Sequence, residues 1–327
     1  MTIARRALLA SAASALAAKA GSSQTLPRLR LGVLRFGTVS WELDVIRRHG
    51  LDTAAGIMIA PVPLAGSQAT QVAMQAGNVD ITAQDWLWVA RQRAVGADWT
   101  FVPFSNATGA VIVPADSPIH GLPDLRGRRL GVAGSPIDKS WLILRAYAMR
   151  RFGFDPDRAT QKSFGAPPLL AQELAAGRLD AVLTFWPFAA KAEAHGMRRV
   201  LAVEEAVEGL GIKATVPVVG YVFSEAWAQA HRSLLQGFLT AAAKAQSILA
   251  SSDAEWDALR PLTGAANDAE LAALRDYYRR GIPRRFGPEE QHAAETLFAV
   301  LVNIGGEALV GPAKTIPSGT FWLAAST

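Results

Sequence analysis

Cysteine is absent from this sequence of 327 residues. Its absence excludes disulfide bonds, a thiol nucleophile, a cysteine-ligated metal and a lipid-anchored N-terminal cysteine. Long apolar runs are also lacking, because no stretch reaches the roughly 20 residues that a helix needs to span a bilayer. These absences are typical of a soluble protein without covalent cross-links.

Residue patterns that common enzymes require are missing as well. The five histidines, at positions 49, 120, 195, 231 and 292, form no cluster along the sequence. A G-x-S-x-G nucleophile motif and an H-E-x-x-H zinc motif are both absent. Lys/Arg-rich patches with interleaved aromatic residues, which bind nucleic acids, do not occur either. We therefore expect a protein that is not an enzyme, needs no cofactor or metal and does not bind nucleic acid.

The first twenty residues, MTIARRALLASAASALAAKA, have a composition of their own. They combine a basic start, an Ala/Leu-rich stretch and the small-x-small site Ala18-Lys19-Ala20, which together predict a signal peptide for residues 1–20. Export of a cysteine-free protein favours a periplasmic location, and Arg5-Arg6 favours the twin-arginine route. An N-terminal helix of the folded protein is the alternative. Arg5, Arg6 and Lys19 are three of the 33 basic residues, so the net charge falls from +5 to +2 without this segment.

The remaining chain contains an internal repeat. AMQAGNVDITAQDW at 73–86 returns one hundred residues later as ELAAGRLDAVLTFW at 173–186. Upstream of these segments, LGVLRFGTVSW from Leu31 returns as LGVAGSPIDKSW from Leu130. Two matches in the same order, at nearly the same offset, predict two similar lobes in one chain.

Apolar alternation and helical periodicity predict alternating strands and helices within each lobe. This order predicts an α/β fold in which each lobe has a mainly parallel sheet flanked by helices. Two crossover strands, near 109–114 and 216–221, are expected to form a hinge between the lobes. The predicted boundaries are 28–110 and 217–305 for lobe one, 111–216 for lobe two and 306–327 for a C-terminal strap.

The most regular part of the repeat is a turn between a helix and a strand. Gly77 and Gly177 end their helices, and we expect both to take positive φ. Asp80 and Asp180 open the strands that follow, so we assign them to the structure of the turn.

The candidate site lies where the strands end, because ligands of open α/β sheets bind beyond the carboxyl ends of the strands. The segments that follow these strands also open helices, whose free N–H groups and positive dipole ends favour anions. Helix capping is the alternative for each hydroxyl, and a place in the core is the alternative for each tryptophan. The predicted ligand-binding residues are Thr38, Ser40, Trp41, Ser67, Gln68, Gln84, Asp85, Trp86, Gly134, Ser135, Asp138, Trp141 and Trp186.

Three segments resemble one known family, the nitrate/sulfonate/taurine class of periplasmic substrate-binding proteins of ABC transporters. QVAMQAGNVDITAQ at 71–84 is similar to the helix-Gly-x-x-Asp segment of these proteins. LPDLRGRRLGVAGSP at 122–136 resembles the opening of their second lobe, and AQELAAGRLDAVLTFWPFAAKA at 171–192 resembles a segment that ends in an aromatic-Pro pair. The similarity spans most of residues 28 to 250.

The resemblance implies a type II periplasmic-binding-protein-like fold and a monomer that binds a small solute between its lobes. It also implies a membrane permease, with its ATPase, as the partner. Carried over residue by residue, it points to Ser40-Trp41, Ser67-Gln68, Gln84-Asp85, Gly134-Ser135 and Trp186.

The site departs from a simple nitrate site in two ways. Trp86 and Trp141 make it bulkier and more aromatic, and Asp85 and Asp138 would repel a bare anion. We therefore expect a small organic solute that bears a sulfonate, carboxylate or amine group, aromatic solutes included. Two alternatives stay open: an accessory protein of the same fold that docks on an enzyme, and a pyrimidine-precursor-type binder or enzyme. The pyrimidine-synthesising relatives need a lysine for pyridoxal phosphate, a sacrificial histidine and a Cys-rich motif, and this chain has no cysteine.

Overall fold

The computed structural model describes residues 25–35 and 37–322. The predicted signal peptide and its cleavage site lie outside the described residues, as does the end of the predicted strap, 323–327. Within the described ranges, no helix has both the length and the apolar character needed to cross a membrane.

The strands of the described chain form two five-stranded sheets. The spatial order of the first sheet is β2 (Met58–Leu64), β1 (Arg28–Leu34), β3 (Ile81–Asp85), β10 (Val219–Ser224) and β4 (Trp99–Ser105). The spatial order of the second sheet is β7 (Gln161–Gly165), β6 (Arg129–Ala133), β8 (Ala181–Thr184), β5 (Ala110–Val113) and β9 (Arg198–Ala202). β10 and β5 run antiparallel to both of their neighbours, while the other strands of each sheet share one direction. The predicted α/β fold with mainly parallel sheets is confirmed, with one reversed strand in each described sheet.

Helices connect and flank the strands. We call the first sheet with the helices between residues 39 and 94 lobe one, and the second sheet with the helices between residues 139 and 209 lobe two. A short 3-10 helix, Leu122–Leu125, precedes β6. The helices are α1 (Val39–Arg48), α2 (Leu51–Ala54), α3 (Ser67–Gln75), α4 (Trp86–Ala94), α5 (Lys139–Phe152), α6 (Pro156–Ala159), α7 (Pro167–Ala175), α8 (Trp186–Ala194), α9 (Val203–Gly209), α10 (Glu225–Ala230), α11 (Arg232–Ser251), α12 (Asp253–Thr263), α13 (Asp268–Gly281), α14 (Pro288–Gly305) and α15 (Glu307–Val310).

The reversed strands are those at which the chain changes lobes. The chain leaves β4 and enters lobe two at β5 through residues 106–109, and it returns from α9 to β10 through residues 210–218. The first crossing is tight, because a Cβ at Gly109 would lie only 1.9 Å from the carbonyl oxygen of Thr184. β5 and β10 are thus integral strands of the sheets that they enter, and the irregular links lie just before them. The hinge motion at these crossings stays a prediction.

The aspartates of the turn that is repeated in the sequence accept equivalent hydrogen bonds in both lobes. In lobe one, Asp80 accepts from the backbone N–H of Arg30 at 2.7 Å and from its guanidinium at 3.2 Å. In lobe two, Asp180 accepts from the backbone N–H of Arg129 at 2.8 Å and from its guanidinium at 3.2 Å. These aspartates join adjacent strands at the ends where β3 and β8 begin, so their assignment to the structure of the turn is confirmed.

The chain after β10 is mostly helical and reaches both lobes. Helix α11 packs on α1, and α12 packs on both α1 and α11. Helix α13 packs along α8 of lobe two, and α14 packs on α5 of lobe two. The helices after β10 therefore join the lobes in addition to the two chain crossings.

Candidate functional site

A cavity of about 440 Å³ lies between the two lobes. Its wall contains the ends of β3 and β4 and the loops that follow the strands of lobe two. Within the described residues, six helices begin at this wall, namely α1, α3 and α4 from lobe one and α5, α7 and α8 from lobe two. The positive ends of these helix dipoles therefore surround the cavity.

The helix ends differ in how their N–H groups are capped. Asp85 caps α4 by accepting from the N–H of Trp88 at 2.7 Å, and Asp138 caps α5 by accepting from the N–H of Ser140 at 2.9 Å. The other helices at the wall begin at residues whose side chains make no capping hydrogen bond: Thr38, Gly66, Ala166 and Phe185. No side chain caps these ends, but at α1 the N–H groups of Ser40 and Trp41 already donate to the carbonyls of Gly37 and Thr38.

Helix α3 offers a ligand the fullest set of N–H groups. Its first intrahelical bond runs from the N–H of Thr70 to the carbonyl of Gly66 at 3.1 Å, so the N–H groups of residues 67–69 precede it. The starts of α7 and α8 carry prolines, which have no N–H. Gln84 holds α3 in place, because its amide donates to the carbonyl of Ser67 at 3.2 Å and to the hydroxyl of Thr70.

Charges of both signs face the cavity. Among the described lining residues these are Asp85 and Arg91 from lobe one and Asp138 and Lys139 from lobe two. The Lys139 Nζ lies 3.9 Å from Asp138 Oδ2 and 5.6 Å from the centre of the Phe185 ring. The formal charges of these four side chains cancel, so the uncapped helix ends supply the remaining positive potential.

Burial shifts the pKa values of Asp85 and Arg91, the two charged residues that lobe one contributes to the wall. It raises the pKa of Asp85, while the Lys139 ammonium and the Trp88 N–H act in the opposite direction. Burial also lowers the pKa of Arg91, against the attraction of Asp85. A carboxyl group in this environment gains from a ligand that brings a hydrogen-bond donor or a positive charge.

Most of the predicted polar residues lie at the cavity wall, together with one tryptophan. Whether they contact a ligand stays a prediction. The predicted residues that line the cavity are Thr38, Ser67, Gln68, Gln84, Asp85, Gly134, Ser135, Asp138 and Trp186.

Ser40 and three of the tryptophans lie outside the wall, which corrects their expected placement. The Ser40 hydroxyl donates to the carbonyl of Gly37 at 2.6 Å, inside the first turn of α1. Trp86 is 1 % exposed and packs on rings of α14 and the C-terminal segment, while Trp141 is fully buried. Trp41 lies behind the wall, with its ring edge-on to that of Trp186 at 5.7 Å.

The repeat-related tryptophans differ because their helices have different neighbours. Trp86 and Trp186 are each the first residue of the helix after the equivalent strand. The ring of Trp86 lies 6.3 Å from Phe298 of α14 and 6.0 Å from Phe321. Trp186 instead lies between the cavity and the rings of α1 and α13. The C-terminal segments are not part of the repeat, so the repeat could not predict this difference.

The sequence interpretation missed several residues of the wall. Trp88, which is not among the predicted ligand-binding residues, lies at the wall together with Arg91. Their spacing of three residues on α4 places them on one helix face, and this spacing could have identified them. Lys139 follows the predicted Asp138 directly, at the start of α5. The other missed residues include Gln71, Phe104, Ser105, Thr108 and Phe188.

Comparison with known proteins identifies a family and a shared fold. The profile of the NMT1/THI5-like family matches residues 47–255. The alkanesulfonate-binding protein SsuA from Xanthomonas axonopodis pv. citri, bound to MOPS, superposes with a TM-score of 0.72 at 18% identity, covering 91% of this chain and 98% of that one. The periplasmic aliphatic sulphonate-binding protein SsuA from Escherichia coli gives 0.71 at 19% identity, covering 91% and 93%. The periplasmic nitrate-binding protein NrtA from Synechocystis PCC 6803 gives 0.56 at 11% identity, covering 77% and 69%.

A comparison with curated protein sequences finds no match. At these identities, the superpositions show that this chain has the two-lobe fold of those binding proteins.

Proposed function

Because the chain belongs to the NMT1/THI5-like family, we propose that it is the solute-binding protein of an ABC importer. In this role it is exported to the periplasm, binds a small solute as a monomer and delivers it to a membrane permease with its ATPase. The observation that carries the proposal is the cavity between the lobes, at which six helices of the described chain begin. The sulfonate-binding proteins that share its fold support the same role.

The proposed solute is organic and carries an acceptor group at one end. The uncapped start of α3 is the place for a sulfonate or carboxylate, because backbone N–H groups and helix dipoles bind anions without a basic side chain. The volume of about 440 Å³ falls within the range typical of pockets for organic ligands, and a bare inorganic anion would leave most of it to water.

The other end of the proposed solute is apolar or amine-bearing. Trp186 and Phe185 of lobe two and Trp88 and Phe104 of lobe one give the wall aromatic surface. Asp85 favours a donor or an ammonium group beside them, because the same burial that raises the pKa of this carboxyl removes the water that would otherwise stabilise its charge. A solute with an anionic end and an aromatic or amine-bearing end satisfies both sides.

The proposed activity is binding without turnover. The described residues contain no group of histidines and carboxylates that could hold a metal ion. No histidine is found among the described residues of the cavity wall, and the chain has no cysteine to act as a nucleophile. Asp85 and Asp138 cap the starts of α4 and α5, and Lys139 pairs with Asp138. These charged groups therefore fix the shape of the wall, as recognition of a solute requires.

The test begins with protein purified gently from the periplasm. Mass spectrometry of the material released on denaturation should identify one small organic compound in near-stoichiometric amount. Calorimetric titration with that compound should show saturable binding, and Asp85→Asn should change the affinity. Asp116→Asn, at an exposed position, is the matched control and should leave it unchanged. If no compound is released, and none binds from a panel of sulfonates, carboxylates and aromatic amines, the proposal is wrong.

A further inference from the structure

Helix α13 lies between the two lobes and presents consecutive tyrosines to them. Tyr278 faces lobe one, where its hydroxyl donates to Glu42 of α1. Tyr277 faces lobe two, where its ring stacks on the ring of Trp186 of α8. This helix therefore joins an element of lobe one to the helix whose first residue forms part of the cavity wall.

The stack between Tyr277 and Trp186 is well defined. The ring centres are 6.2 Å apart and the planes differ by 6°. The Tyr277 hydroxyl donates to Glu193 Oε2 at 2.8 Å and accepts from the Arg199 guanidinium at 3.2 Å. The guanidinium of Arg280 lies 4.7 Å from the centre of the Tyr277 ring. The tyrosine is thus held by groups from both α8 and β9 of lobe two.

Further contacts join α8 to the end of α12 and to α13. The Lys191 ammonium donates to the carbonyls of Thr263 at 2.8 Å and Gly264 at 2.7 Å, at the end of α12. One turn further on, the His195 ring pairs with Glu270 of α13. We call these contacts, together with the Tyr277–Trp186 stack, the α8–α13 junction.

The C-terminal end of α13 contacts the first chain crossing, residues 106–109. The N–H of Asn106 donates to the carbonyl of Gly281 at 2.7 Å. A Cβ at Gly281 would lie 2.5 Å from the Cβ of Ala107, so the helix end and the crossing are in close contact. A change in the angle between the lobes would therefore disturb α13 at both ends.

We infer that Tyr277 is a positioning residue for the cavity: its stack on Trp186 holds α8, and with it the wall of lobe two, at the observed distance from lobe one. Tyr277 is not itself among the residues of the wall. It acts through Trp186, whose ring is edge-on to Trp41 of lobe one on one side and stacked on Tyr277 on another. Its effect on the separation of the lobes needs no ligand, while its effect on affinity rests on the proposed function.

The first test measures the separation of the lobes without any ligand. The chain has no cysteine, so Val72→Cys on α3 and Gln172→Cys on α7, both at exposed positions, accept spin labels at these sites alone. Pulsed electron resonance of otherwise native protein should give one narrow distance distribution. Tyr277→Ala should broaden it and shift it to longer distances, whereas Tyr277→Phe keeps the ring and should restore it.

The matched control is Tyr147→Ala, which removes a tyrosine from an aromatic pair with Phe152 inside lobe two. This variant should leave the distance distribution unchanged. If Tyr277→Ala does not fold, Tyr277→Leu keeps apolar volume without the planar stack and should show the same shift. An unchanged distribution in a folded Tyr277→Ala or Tyr277→Leu protein overturns the inference.

The second test measures affinity, with MOPS as the probe. Tyr277→Ala should weaken MOPS binding about three- to tenfold, which is the contribution expected of one aromatic pair, and Tyr277→Phe should recover most of the loss. Equal affinities of Tyr277→Ala and the native protein would contradict the positioning role. Failure of the native protein to bind MOPS would count against a sulfonate solute, and the spin-label result would still decide the role of Tyr277.

Discussion

Tyr278 donates a hydrogen bond to Glu42 in the core of lobe one, where Glu42 is only 1 % exposed. The second carboxyl oxygen of Glu42 accepts from the Tyr221 hydroxyl of β10 at 2.9 Å. Burial raises the pKa of Glu42 to about 7, although the hydrogen bonds from the tyrosines oppose the shift. One titratable group therefore links α1, β10 and α13 within the core.

This carboxyl group predicts how stability depends on pH. Its ordinary pKa is 4.5 and its pKa in the folded protein is about 7, so between these values the folded state retains a proton that the unfolded state has lost. The contribution of Glu42 to stability is therefore full below the lower value and declines by about 3 kcal/mol as the pH rises to the upper one. Glu42→Gln should remove this decline. Denaturant unfolding at about pH 5 and about pH 8 measures it, and an equal decline in both proteins would show that Glu42 is not its source.

The tryptophans at equivalent places should behave differently. Trp86 lies in the core, so Trp86→Ala should cost about 3–5 kcal/mol of stability and leave affinity unchanged in the folded protein. Trp186 belongs both to the wall and to the α8–α13 junction, so Trp186→Ala should lower stability and also weaken solute binding by about 1–3 kcal/mol. Thermal unfolding and calorimetry on the two variants compare these effects. If only Trp86→Ala lost affinity, Trp86 and not Trp186 would be the tryptophan of the cavity wall.

The charge of Asp85 should govern how binding depends on pH. For a solute with an ammonium group, Asp85→Asn should weaken binding by about 1–3 kcal/mol, because a charged hydrogen bond is lost. The helix should stay intact, because asparagine caps helices about as well as aspartate does. Burial raises the pKa of Asp85, so acidification should weaken binding in the native protein at a higher pH than the one at which an ordinary aspartate takes up a proton. Calorimetry over a pH series checks this, and identical pH profiles in both proteins would exclude Asp85 as the contact.

The predicted signal peptide has a direct test. Expression of the full chain in a Gram-negative host should yield a periplasmic protein whose first residues are Gly21-Ser22-Ser23-Gln24. Replacing Arg5 and Arg6 with lysines should block export if the twin-arginine route is used and leave it nearly unchanged if the general route is used. N-terminal sequencing and cell fractionation provide the readout. A cytoplasmic protein that retains Met1 would refute the prediction of export.

The repeat in the sequence predicted two similar lobes and the helix-to-strand turn within each of them. Gly77 and Gly177 take φ values of 68° and 69°, as their position at helix ends predicts. The rule that ligands bind beyond the carboxyl ends of the strands correctly placed Ser67 and Ser135 at the cavity. This rule depends only on backbone topology.

The side chains at the helix starts were harder to predict, because backbone position does not determine which neighbour a ring meets. Trp86 and Trp141 lie at the positions that the repeat predicts, but their side chains are buried in the core. There Trp86 packs on Phe298, and Trp141 packs on Phe164. Tyr277 lies behind the wall because α13 packs on α8. Such contacts join residues far apart in the chain, so no local pattern reports them.

The central claim is that a solute binds between the lobes, with its acceptor end at the start of α3 and its other end near Trp186. A crystal structure of protein purified from the periplasm, without added ligand, tests it most directly. The account predicts electron density for one organic molecule in the cavity, within hydrogen-bond distance of the N–H groups at Ser67 and Gln68 and in contact with Trp186. A cavity that contains only water, in protein shown by mass spectrometry to carry a bound compound elsewhere, would contradict it.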